Sequence, residues 1–175
     1  TCNSALQAKQ QVGGQVEVLD SQQASFALGL IVVSAARAAR AGASLQEATH
    51  VAKQATARTY LFGLLDTLEY LQKGGRIGKV QAVLGSLLKV KPILTIREGE
   101  AHALTRVRTR AKAIDRMVEL VASLHPIAEL AVVHSSSEEE AAALIQRLKT
   151  FAPGERVQCT MFGPVMGTYM GPDAL

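Results

Sequence analysis

Along the chain the apolar positions switch between a spacing of three to four and strict alternation, and the switch points predict the elements. Helical spacing over 3–12 stops at Gly13-Gly14. Residues 15–19 alternate like a strand, and Asp20-Ser21 offers caps to a helix over 22–41. That helix is apolar nearly all round until Arg37 and Arg40, so burial over most of its surface is expected. Gly42 ends it. Ser44 and Glu47 have the spacing of a capping box for a helix reaching about Thr56. A buried strand is expected over 58–65, then a short helix over 66–73.

Gly74-Gly75 breaks the pattern, and 76–89 reads as mixed loop and helix. Residues 92–96 and 102–107 alternate as two strands, and Gly99 between them suits a hairpin turn. Ile114, Met117, Val118, Val121 and Leu124 share one face of a helix. Residues 127–133 read as a buried strand. Ser135-Ser136-Ser137 before Glu138-Glu139-Glu140 offers three overlapping capping boxes to a helix with Leu144, Ile145 and Leu148 inward. A last strand is expected over 156–162, followed by a Gly- and Pro-rich tail. Strands and helices alternate around one hairpin, which predicts an α/β fold with a mixed sheet. No repeat or low-complexity linker interrupts it, and the loosening after Asp66 suggests a domain border there.

Composition narrows the function classes. Of 175 residues 48% are hydrophobic and only 4% aromatic, with no Trp, so the core is aliphatic. Such a composition suits a lipid cavity and equally an ordinary α/β interior. The net charge of +4 is uneven: eleven Lys or Arg lie between Lys73 and Arg116, against Glu98, Glu100 and Asp115. A basic middle attracts phosphate, carboxylate, anionic lipid or an acidic partner. Nucleic acid is not expected, because neither a recognition motif nor an aromatic stacking platform accompanies the charge. Cys2 and Cys159 lack disulfide-scaffold or zinc spacing, so two reduced thiols in a cytoplasmic protein are expected, with no metal. The longest uncharged stretch, 21–36, is shorter than the ~20 residues a membrane span needs. Because the chain opens on Thr1 within a helical pattern, sequence upstream of it is expected.

Lys73-Gly74-Gly75-Arg76-Ile77-Gly78-Lys79 is the most chemical-looking segment. Glycines admit an anion to the backbone, and the planar fork of Arg76 can grip two oxygens. Neither the GxxxxGK[ST] nor the GxGxxG spacing is present, and a glycine helix stop with solvated bases is the plainer reading. Arg106 and Arg108 share a strand face as a candidate cationic patch, alongside Arg110 and Lys112; a charged, protected sheet edge is the commoner explanation. His50, His102, His125 and His134 have no metal spacing, although His134 ends a strand just before a helix, a place that often faces a site. No catalytic set can be assembled. The tail from Gly163 to Pro172 suits a backbone held close to a ligand or strand, or simply a bent edge strand.

Six segments, in order, resemble the DegV family, the lipid-binding subunits of bacterial fatty-acid kinase. Thr1-Cys2-Asn3-Ser4-Ala5 resembles the end of its SGTYQSA stretch, and Asp20-Ser21 through Leu28-Gly29-Leu30 its VxDSxxxSxGxG segment. Asp66-Thr67-Leu68-Glu69-Tyr70-Leu71 with Lys73 to Gly78 resembles DTLEYLKKGGRI. Leu84-Gly85-Ser86-Leu87-Leu88 with Lys91-Pro92-Ile93-Leu94 resembles LGxLLxIKPIL, and the run from Arg106 to Arg110 also fits. Gly163-Pro164-Val165-Met166-Gly167-Thr168 resembles GPVIGTHTGPG.

The resemblance implies the end of a Rossmann-like three-layer domain over 1–62, followed over 63–175 by a mixed-sheet α/β domain lining an acyl pocket. It implies a non-catalytic cytoplasmic carrier, without cofactor, that serves phospholipid synthesis. Such a carrier binds a long-chain fatty acid and presents its carboxylate to a fatty-acid kinase for phosphorylation. The family's carboxylate-binding Ser and Thr would precede Thr1. Arg76, Thr168 and Tyr169 fall at the head-group or kinase-docking region, and Arg106 and Arg108 at a partner-docking surface. Tyr169 stands where the family has His, so imidazole proton chemistry is not expected there, and Asp173 replaces a Gly. The alternative is a phosphate- or nucleotide-binding enzyme using the Gly74–Lys79 loop.

Overall fold

The computed structural model describes residues 2–83, 90–124, 126–152 and 157–175, so Leu84 to Leu88 and His125 lie outside the described residues. The chain divides into two units, Thr1–Tyr60 and Leu61–Leu175.

The first unit contains α1 (Cys2–Lys9), α2 (Ser25–Arg40) and α3 (Leu45–Arg58). The strand expected over 15–19 does not form; this stretch pairs with no strand among the described residues. Alternation signals a strand only where a neighbouring backbone can take its N–H and C=O groups. Asp20 and Ser21 do cap, but they cap turns. Asp20 Oδ1 accepts from the Gln22 N–H at 3.0 Å and Ser21 Oγ from the Gln23 N–H at 3.3 Å. Gln22 and Ser25 both take positive φ, which delays α2 to Ser25. Only Ala27 and Ile31 of α2 are buried, whereas Val32 is 57% exposed. The expected burial of most of this helix is therefore not met, since α3 packs along one stripe of it.

Gly42, at φ +94°, closes α2 in the left-handed conformation that favours glycine. The Ser44–Glu47 capping box then opens α3. Ser44 N–H donates to Glu47 Oε2 at 2.8 Å and Glu47 N–H to Ser44 Oγ at 3.3 Å. The backbone and hydroxyl bonds from Ser44 hold the Glu47 carboxyl below its usual range.

The second unit is mixed α/β, as expected. β1 (Phe62–Leu64) is shorter than its predicted span, because α3 runs on to Arg58. After α4 (Glu69–Lys73) and a 3-10 turn (Gly78–Val83) come β2 (Lys91–Arg97) and β3 (Glu100–Val107). These form the expected hairpin. Glu98 and Gly99 both take positive φ, which matches the turn to the strand twist. β1 adds antiparallel to β2, with Phe62 opposite Thr95. α5 (Arg110–Ala122), β4 (Leu130–His134), α6 (Glu138–Leu148), β5 (Val157–Met161) and α7 (Pro164–Met170) complete the unit, with β5 parallel to β4.

The strands thus form two sheets, and Ala174-Leu175 bridges them. Leu64 and Leu175 exchange both backbone hydrogen bonds, at 2.8 and 3.0 Å, while Ser135 N–H donates to the Ala174 carbonyl at 3.0 Å. Alternation sends neighbouring residues to opposite faces. Leu64, Ile93 and Leu175 enter a core with Met117 and Val121 of α5 and Leu144 and Leu148 of α6. Leu65, Leu94 and Ala174 enter a second core with Leu71 of α4, Val80 and Met170 of α7. The result is a layered unit, α5 and α6 on one face and α4 and α7 on the other.

Two expectations in this unit are corrected. The Gly/Pro tail is not a bent edge strand. It folds as α7, because Pro164 sits at the first turn and Gly171, at φ +75°, ends it. The serine triplet makes no capping box; Ser137 is the N-cap of α6 without a side-chain cap bond. Its hydroxyls serve the segment after α7. Ser136 and Ser137 donate to Asp173 Oδ1 at 3.2 and 3.0 Å, and Ser135 Oγ accepts from the Ala174 N–H at 2.9 Å. Replacing Asp173 with Ala should remove two of these bonds and lower the urea unfolding midpoint by the equivalent of about 1 kcal/mol. An unchanged midpoint would mean that this clip contributes nothing to stability.

Candidate functional site

α4 stops at the two glycines as the plainer reading of that loop expected. Gly74 N–H donates to the Tyr70 carbonyl, Gly75 N–H to Gln72 and Arg76 N–H to Leu71 at 2.8 Å. The stop turns Arg76 back over its own helix end. Its Nη1 donates to the Gly74 carbonyl at 3.2 Å, and its guanidinium carbon lies 5.1 Å from the centre of the Tyr169 ring. That is cation–π range. Arg76 is exposed and Tyr169 half-buried.

Two glycines make this approach feasible. A Cβ on Gly74 would overlap ring carbons Cδ1 and Cε1 of Tyr169, and one on Gly171 would overlap the Tyr70 ring. Each tyrosine covers a glycine of the other segment, so α4 and α7 interlock. Thr168 is adjacent in sequence to Tyr169 and exposed, but its hydroxyl donates to the Pro164 carbonyl of its own helix at 2.8 Å.

The other bases of the loop face carboxylates. Lys73 pairs with Glu69 at 2.6 Å, and Lys79 with Glu100 at 2.9 Å. Hydrogen bonding to these partners, then their charge, raises both lysine pKa values; the Lys79 bond likewise lowers that of Glu100.

Arg106 lies on β3 opposite Pro92, and Arg108 just beyond the strand end; both are exposed. Arg110 leaves the expected patch. It grips Glu140 through Nε at 3.1 Å and through Nη2, and reaches Asp66 Oδ1 at 3.4 Å. Lys91 holds the same Asp66 oxygen at 2.5 Å. Burial works against the Arg110 charge, but hydrogen bonding to Glu140 and the attraction of Glu140, Asp66 and Asp173 outweigh it and raise its pKa. This network joins β2, the loop after β1 and the first turns of α5 and α6. The sequence reading missed it, since its partners stand 25, 30 and 44 residues apart. His134 closes β4 as a buried strand-end histidine whose Nδ1 has no hydrogen-bond partner among the described residues. No cluster of three or more His, Cys, Asp or Glu among the described residues could hold a metal, and no described helix is long and apolar enough to cross a membrane.

Replacing Arg110 with Met should strand Glu140 and cost about 1–2 kcal/mol in a urea titration. Adding Glu140→Gln should recover part of the loss. Strict additivity of the two changes would show that the pair is not coupled.

Comparison with known proteins adds a family to this geometry. The family model described as "Uncharacterised protein, DegV family" matches residues 1–175. A DegV domain-containing protein of Streptomyces coelicolor is 37% identical over 179 residues, covering 100% of this chain and 63% of that protein. Two solved structures are similar. One is described as fatty acid binding of a DegV family protein from Thermus thermophilus; it has 32% identity, a TM-score of 0.89 and coverage of 99% of this chain and 63% of that one. The other, DegV from Bacillus subtilis, is described as a fatty acid binding protein; it has 33% identity, a TM-score of 0.85 and the same coverage. The chain therefore spans about 63% of the length of these relatives. Matched along its whole length in sequence and in fold, the chain belongs to the DegV family.

Proposed function

We propose that this chain is part of a carrier that binds one long-chain fatty acid and presents its carboxylate to a fatty-acid kinase. The observation that carries the reading is the similarity, over 99% of the chain, to two proteins described as fatty-acid-binding. Residues 63–175 would line the acyl pocket, and 1–62 would complete the domain that receives the head group. Enclosing an alkyl tail in aliphatic side chains contributes about 0.8 kcal/mol per CH₂, which makes a lipid carrier physically reasonable. The carrier would act in the cytoplasm and need no cofactor or catalytic group. The kinase would supply ATP; a carboxylate oxygen would attack the γ-phosphorus and ADP would leave. Arg76, with Thr168 and Tyr169, would serve the head-group or kinase-facing region, and Arg106 and Arg108 would add a docking surface for an acidic partner.

Two observations weigh against the alternative, a nucleotide-using enzyme built on Gly74–Lys79. Lys73 and Lys79 are engaged by Glu69 and Glu100, and the glycines serve a helix stop and an aromatic contact. Native mass spectrometry of the whole carrier, with the carboxylate-binding Ser and Thr included, should reveal a co-purified acyl chain. Preparations that are lipid-free and do not take up oleate, yet are thermally stabilised by ATP, would sink the carrier reading and favour the alternative. Arg76→Ala should impair phosphorylation by the kinase more than it impairs fatty-acid binding. Equal losses in both would contradict the assignment of Arg76 to the kinase-facing step.

A further inference from the structure

We propose that Tyr169 is a positioning residue whose ring face, not its hydroxyl, sets the guanidinium of Arg76 as a pre-oriented fork for an anion at the kinase-facing step. This rests on the function proposed above and names the part that prepares its arginine. The first support is Gly74. Its φ of −78° and ψ of −2° are open to any residue, so its backbone does not call for glycine. The missing side chain is needed for another reason: two carbons of the Tyr169 ring occupy the space a Cβ would take. The second support is Gly171, which receives the Tyr70 ring in the same way and so holds the far end of α7 against α4. Tyr169 is thereby fixed at both ends of its helix turn.

Arg76 then meets a ring packed against Gly74. The guanidinium lies over that ring, and one of its donors is turned to the Gly74 carbonyl beside it. The planar group has five N–H donors, and Arg76 is an exposed residue. An arginine free in solvent loses rotamer entropy when it grips a carboxylate or phosphate; one already laid on an aromatic face loses less. The phenol oxygen takes no part in these contacts. What the position requires is a flat π-face of the right size.

The test pairs a kinetic readout with a direct one. With the kinase and oleate-loaded protein, Tyr169→Leu should raise the KM for the carrier about fivefold. The kcat and the oleate Kd should stay within about twofold, and Tyr169→Phe should behave as wild type. Gly74→Ala, which leaves the Arg76 and Tyr169 side chains themselves unaltered, should raise the same KM by displacing the ring. Combined with Tyr169→Leu it should add nothing. In ¹⁵N NMR the Arg76 Nε–H, assigned through Arg76→Lys, should sit upfield under the ring current. It should lose that shift in Tyr169→Leu and keep it in Tyr169→Phe. A Tyr169→Phe defect equal to that of Leu would overturn the ring-face assignment, as would an Arg76 resonance indifferent to Tyr169→Leu. If the wild-type protein neither binds oleate nor serves the kinase, the carrier reading falls, and the NMR comparison still decides whether Tyr169 orients Arg76.

Discussion

The backbone exchange between Leu64 and Leu175 is the constraint on which the second unit turns. Without it the antiparallel β1–β2–β3 sheet and the parallel β4–β5 pair have no shared hydrogen bonds among the described residues. With it, and with the bond from Ser135 to Ala174, the two sheets are spaced as neighbours and both cores continue across the join. A buried backbone that lacked these partners would leave several N–H and C=O groups unsatisfied, at a cost comparable to the net gain from many packed side chains. The consequence reaches α7. Asp173 and Ala174, just beyond its C-terminal end, are bonded to Ser135, Ser136 and Ser137 before α6, while Gly171 receives the Tyr70 ring of α4.

Charge in this unit falls into two kinds, and the difference is geometric. Asp66, Lys91, Arg110 and Glu140 face one another where first turns of helices meet strand ends, partly shielded from water, so removing one member strands the others. Lys73 with Glu69 and Lys79 with Glu100 are solvated pairs that steady local conformation and contribute little. Arg76 belongs to neither group. It neighbours a ring and a carbonyl.

How far the sequence alone could reach follows from the range of each interaction. The Glu98-Gly99 hairpin, the Ser44–Glu47 box and the apolar stripe of α5 were legible because each is decided within a few residues. The same local logic failed at 15–19, where alternation needs a partner strand, and at Ser135 to Ser137, whose hydroxyls meet Asp173 some 36 residues on. The tail misled for a related reason: glycines at 163, 167 and 171 read as bends in an edge strand, whereas Pro164 and Gly171 bound a short helix. At the candidate site the motif resemblance brought Arg76 and Tyr169 forward, but their contact depends on Gly74 and Gly171, whose role becomes visible only once α4 and α7 are side by side.

At position 169, where the motif resemblance leads one to expect an imidazole, the phenol has a definite physical consequence. A histidine there would carry charge over part of the range from about pH 5 to 8, and a protonated ring beside Arg76 would repel the guanidinium it faces. A phenol offers a π-face that is attractive to a cation. The tyrosine ring supplies that face here, with the Arg76 guanidinium carbon 5.1 Å from its centre. On the function proposed above, the arginine rather than the aromatic residue would meet the anion.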